Sequence, residues 1–194
     1  MNKNLLKVSY VLIYLESLIS IPSSIMVFGA GFTSGLSFSD NMYWITFLLF
    51  LPPFVWVGLI VLVLYLNRNF FLSKAKLSFI ILLCVSAYFL RLLNLHLAIG
   101  VDPNFQSSYW LHGCITNCLL LAIIYFFLKK NTPDKLHRAI LFLFIGLFAF
   151  VFQEGYASRI PFFFIISQVS PIIKCFALFL AAKELETFKE IETL

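Results

Sequence analysis

Residues 8–28 read VSYVLIYLESLISIPSSIMVF. Apart from Glu16, a few Ser and Pro22, this run is aliphatic or aromatic throughout. About 20 mostly apolar residues are what a helix needs to cross the hydrocarbon core of a bilayer. Further stretches of the same kind follow at residues 43–66, 77–99, 108–128, 137–153 and 160–182. The fifth is the shortest, about 17 residues, which suits an upright helix or a locally thinned bilayer. Turn-forming residues lie between the stretches: Gly29 to Asp40, Asn67-Arg68-Asn69, Gly100 to Asn104, Lys129 to Asp134, and Glu154-Gly155. Gly, Pro, Asn and Asp break helices for different physical reasons, so their agreement marks real boundaries.

The whole chain supports this reading. Of its 194 residues, 61% are hydrophobic and 12% charged, and the mean hydropathy is +0.97. Soluble domains carry about 25% charge. A chain of this size has no core large enough to hide so much apolar surface from water. The expected fold is therefore all-α, a single polytopic transmembrane helical bundle of six spans.

The basic residues set its orientation. Lys3 and Lys7 precede the first span. Arg68, Lys74 and Lys76 follow the second, Lys129, Lys130, Lys135 and Arg138 surround the fourth loop, and Lys183 and Lys189 lie after the sixth. The first and third loops have no Lys or Arg, and the fifth has only Arg159. Cytoplasmic loops hold the excess of Lys and Arg, so both termini are expected inside. Tyr43-Trp44 and Tyr109-Trp110 then open the second and fourth spans at the outer interface, where amphipathic rings settle. The net charge of +5 follows from this alternation and does not signal nucleic acid, which needs a clustered basic face. The first span has no clean small-x-small cleavage pattern after it and is expected to be retained. The location implied is a plasma membrane, with a bacterial inner membrane the best match. Residues 183–194 read as a short cytoplasmic amphipathic tail with Leu185, Phe188 and Ile191 at spacing three. Such a stripe lies on the inner membrane surface or extends the last span.

Ionisable groups at bilayer depth cost about 2.5–3.5 kcal/mol each on insertion scales and therefore face the bundle interior, usually with partners. Glu16 and Lys174 are each about 12 Å from the inner ends of the first and sixth spans, from the 1.5 Å rise per residue. Equal depth allows them to pair. Such a pair either fixes helix register or acts as a relay that opens and closes, and the first role is the commoner. Arg91 and Asn94 belong to the outer half of the third span, and Gln168 precedes Pro171 in the sixth. Glu16, Arg91, Asn94, Gln168 and Lys174 are the candidate binding residues. Pro22, Pro52-Pro53 and Pro171 are expected to interrupt the first, second and sixth spans, because each proline removes a backbone donor. Broken helices near the midplane line binding sites in many transporters.

A weaker constellation is His96, His112 and Glu154 near the outer face, with Asp102 nearby, a set that zinc accepts. Neither a His-x-x-x-His pair nor an H-E-x-x-H motif is present. Cys114 and Cys118 share a helix face, but buried thiols are inert and small residues there serve close packing. No phosphate-binding loop, dinucleotide fingerprint or serine-nucleophile motif occurs, and no cofactor is expected.

Three functions remain open. The first is a small-solute or lipid binding or transport protein. The second is an intramembrane lipid hydrolase with an outer-leaflet His/acid site. The third is a non-catalytic assembly or interaction subunit, with a protein partner or as a homo-oligomer. Binding and transport rank first.

Overall fold

The computed structural model describes residues 2–32, 54–70, 74–100, 103–153 and 161–191, with side chains over 4–21, 54–67, 76–90, 111–152 and 169–188. Apart from Thr132-Pro133, the described residues are helical: α1 (Asn2–Phe32), α2 (Phe54–Phe70), α3 (Lys74–Gly100), α4 (Pro103–Asn131), α5 (Asp134–Gln153) and α6 (Pro161–Ile191). Proline opens α4 and α6, in the position where its missing N–H costs nothing and its fixed φ already suits a helix. The junction of α4 and α5 is only Thr132-Pro133. Asn131 Nδ2 and Thr132 Oγ1 fold back to donate to the carbonyls of Phe127 and Leu128, four residues earlier, at 2.7 and 2.8 Å. Asp134 then sits in the first turn of α5, where a negative charge complements the helix dipole.

Among the described residues, three helices are long and apolar enough to cross a membrane: Asn4–Ile21, Leu111–Asn131 and Asp134–Phe152. The last is the stretch that looks shortest in the sequence. The difference is the turn opened by Asp134, ahead of His137 where the apolar run begins. Phe54–Asn67 and Lys76–Leu90 are apolar but shorter. Residues 43–53, including Pro52-Pro53 and the first half of the expected second span, lie outside the described residues. Pro22 and Pro171 do not interrupt their helices, contrary to the sequence expectation, because α1 and α6 run unbroken through them. A proline removes one ladder hydrogen bond, and a long helix held along its length by neighbours survives that loss.

The helices form a closed ring. Each packs mainly on its neighbours in sequence, and α6 returns to pack on α1. The α5–α6 seam is the most extensive and α1–α6 is next. Side-chain pairings fix the directions. Along α1–α6, Tyr14 meets Glu186 while Ser17 meets Cys175, so the two helices are antiparallel. Along α5–α6, Gly146 meets Leu178 while Phe150 meets Lys174, again antiparallel. The start of α1 and the end of α6 therefore lie at one end of the bundle. The tail stripe is part of α6: the helix is continuous to Ile191, and Leu185 and Phe188 are buried in the core cluster.

One core contains residues from all six helices, with Trp56, Tyr65 and Phe144 its largest fully buried members. The outer surface is also apolar. Phe126 and Phe176 are 66% exposed, and Leu82, Phe89 and Leu119 are also bare. Water does not tolerate such patches on a monomeric protein, whereas lipid is their ordinary solvent. This surface suits a membrane protein.

Two glycines let helices approach closely, as small residues do in membrane bundles. A Cβ on Gly58 would lie 3.1 Å from Ile13 Cγ1 and 3.2 Å from the Ser9 carbonyl oxygen. That closeness allows buried Ser9 Oγ to donate to the Gly58 carbonyl at 2.8 Å, joining α1 to α2. Replacing Ser9 by Ala is expected to lower stability by about 0.6–2 kcal/mol, the usual value of an interhelical hydrogen bond in a membrane. Denaturant titration in mixed micelles measures it.

Candidate functional site

The α1–α6 seam contains the charged centre of the bundle. Lys174 Nζ donates to Glu16 Oε1 at 2.6 Å, and the two side chains are only 5% and 8% exposed. Each helix brings its charge inward on a face that is otherwise hydrocarbon or small polar. Buried charges are costly unless paired and hydrogen-bonded, and here each group is the other's partner.

Three further contacts shape the centre. The ammonium of Lys174 lies 3.7 Å from the centroid of the Phe150 ring on α5, well within cation–π range. The ring leaves one side of the cation apolar and gives α5 a direct hold on the pair. Ser20 Oγ donates to the Glu16 backbone carbonyl at 2.7 Å, one turn back along α1. Ser17 Oγ donates to the Cys175 carbonyl at 2.9 Å, with the Cys175 sulfur 3.7 Å away, which pins the seam beside the ion pair. Nearer the chain termini, Tyr14 Oη donates to Glu186 Oε2 at 3.2 Å. The ion pair is thus one step in a ladder of polar contacts along α1–α6. The ladder is neutral overall at its buried step, which lowers the cost of holding charge in a low-dielectric interior.

Pro171 lies one turn before Lys174 and is buried. It cannot donate to the carbonyl four residues earlier, so α6 lacks one restraint next to the charged centre. Ser170, beside it, is 2% exposed. Residues of α5 and α6 line an open apolar groove of about 460 Å³ beside Ser170, which includes Ala149, Phe152 and Ile173.

Of the candidate binding residues, the structure brings Glu16 and Lys174 together. Arg91, Asn94 and Gln168 belong to α3 and α6, but their side chains lie outside the described residues. So do the His96 side chain and all of Asp102 and Glu154. His112 is exposed on α4, and its carbonyl accepts from Thr116. Among the described residues, no three His, Cys, Asp or Glu side chains are grouped to hold a metal. Cys114 is buried with its thiol 3.8 Å from the Val151 carbonyl, a contact that packs α4 on α5.

Sequence reasoning missed Phe150, which nothing distinguishes from the other phenylalanines among 24. It also missed Ser17, although that serine adjoins Glu16 and small polar residues beside an intramembrane charge are a usable signal. No protein-family model, no curated protein and no solved structure matches this chain.

Proposed function

We propose that this chain is a multi-pass plasma-membrane protein of six spans, with both termini in the cytoplasm, that binds a small solute or lipid at the α1–α6 seam and moves it across the bilayer. The observation that carries this reading is the buried Glu16–Lys174 pair beside a proline-weakened turn. A purely structural bundle of this composition has no need of two charges at that depth, since apolar residues of similar volume hold helices together as well or better. An ion pair whose members can exchange partners recognises a charged or polar ligand while keeping the site neutral. The lipid-suited exterior and the alternation of basic loops support the membrane assignment and the orientation. The antiparallel return of α6 on α1 agrees with termini on one side.

Native mass spectrometry of the gently solubilised chain tests the reading, because the mass of whatever the protein retains identifies the ligand class directly. The expected result is a mass excess of a lipid or small solute, lost in the double variant Glu16→Gln/Lys174→Met. A wild-type chain with no adduct, or an adduct retained equally by the double variant, contradicts it.

A further inference from the structure

We propose that the ligand of this site is a single-chain, long-chain carboxylic acid, with its alkyl chain in the α5–α6 groove and its carboxylate on Lys174; this rests on the binding function proposed above. The groove and the ion pair adjoin. Ile145, Phe148, Ala149 and Phe152 form one wall, and Ile173 and Ser170 the other. At about 460 Å³ it falls within the roughly 300–1,000 Å³ of small-molecule sites. Its walls are hydrocarbon except at Ser170, and Ser170 and Lys174 are one turn apart on one face of α6. Lys174 lies one turn beyond the groove lining, against Phe150 and Glu16, and is among the described residues the only buried cation.

Lys174 already pairs with Glu16, which narrows the ligand further. A ligand that arrived as an anion would bring an extra negative charge into a low-dielectric site. A neutral carboxylic acid avoids this. It enters laterally from lipid as RCOOH and passes its proton to the Glu16 carboxylate. As RCOO⁻ it takes the place of Glu16 on the Lys174 ammonium. One O–H bond breaks on the ligand and one forms on Glu16, so the charge of the site is unchanged. The ladder hydrogen bond lost at Pro171 gives α6 freedom to adjust where the chain enters. A long-chain alcohol matches the groove but has no acidic proton to give and no carboxylate for Lys174.

Equilibrium binding of radiolabelled palmitate to the purified full chain in nanodiscs, compared with hexadecanol, tests this. Saturable palmitate binding is expected, weakened at least about tenfold both by Ile173→Trp, which fills the groove from its lipid-exposed wall, and by Glu16→Gln/Lys174→Met. Val169→Trp on the same wall replaces Ile173→Trp if that variant does not fold. Hexadecanol is expected not to saturate. Equal binding of hexadecanol marks the groove as a place for bulk hydrocarbon only and overturns the inference, as does palmitate binding indifferent to the tryptophan. If palmitate fails to bind while another adduct is still lost in the double variant, the fatty-acid inference fails and the binding function stands. If the double variant loses nothing, the binding function itself fails.

Discussion

Lys174→Met in a chain that keeps Glu16 is expected to destabilise the bundle by about 3–5 kcal/mol, the usual cost of leaving one member of a buried ion pair alone. The geometry makes this site severe. The carboxylate is buried, its described cationic partner is at 2.6 Å, and the Phe150 ring centroid is 3.7 Å from the ammonium. Glu16→Gln is expected to cost less, because the amide oxygen still accepts from the ammonium. Adding Glu16→Gln to Lys174→Met is expected to recover most of the loss, since replacing both charges by neutral groups of similar size is often neutral or stabilising. Unfolding in mixed micelles reads all three variants. The double variant separates the two roles of the pair: recovered stability with lost ligand marks a binding site, whereas recovery of both marks a structural register pin and defeats the proposed function.

A second large loss is expected at Gly146. A Cβ there would be 2.5 Å from Leu178 Cδ2 and 2.8 Å from its Cγ, closer than real contacts allow. Leu178 is fully buried in the core and cannot swing away without moving its neighbours. Gly146→Ala is expected to cost about 1–3 kcal/mol, the range for overpacking a tight core, and Gly146→Leu more. Gly146 and Leu178 should also couple: in a double-mutant cycle, truncating Leu178 to Ala is expected to relieve part of the Gly146→Ala penalty. Phe150 is one turn beyond Gly146 on α5, so forcing α5 from α6 also draws the ring away from Lys174. The variant should therefore lose ligand as well as stability, whereas Ser9→Ala on the α1–α2 seam should lose stability and keep ligand.

Much of the scaffold is legible in the sequence, since composition and run length already require helices in lipid. The Glu16–Lys174 pairing is legible for a simple reason: two opposite charges placed at matching positions in the first and last apolar stretches have few other ways to be satisfied. The prolines mislead, because a sequence shows the lost donor at Pro22 and Pro171 but not that α1 and α6 run on through them. The tail is ambiguous for a related reason. The spacing of Leu185 and Phe188 shows a stripe, and only the position of α1 decides that it joins the core. Phe150 and the Gly146–Leu178 contact are invisible because they depend on rotation of α5 about its axis, which the uninterrupted apolar run over residues 139–152 does not encode.

The proposed function requires the α1–α6 seam to open at the ion pair when ligand enters or leaves. Ser17 Oγ and Cys175 Sγ are 3.7 Å apart beside that pair, so Ser17→Cys places two thiols where slight adjustment closes a disulfide. Exchange of bound for labelled ligand is then measured on oxidised and reduced protein. Oxidation is expected to stop exchange, and reduction to restore it. Unchanged exchange in fully cross-linked protein contradicts an opening seam.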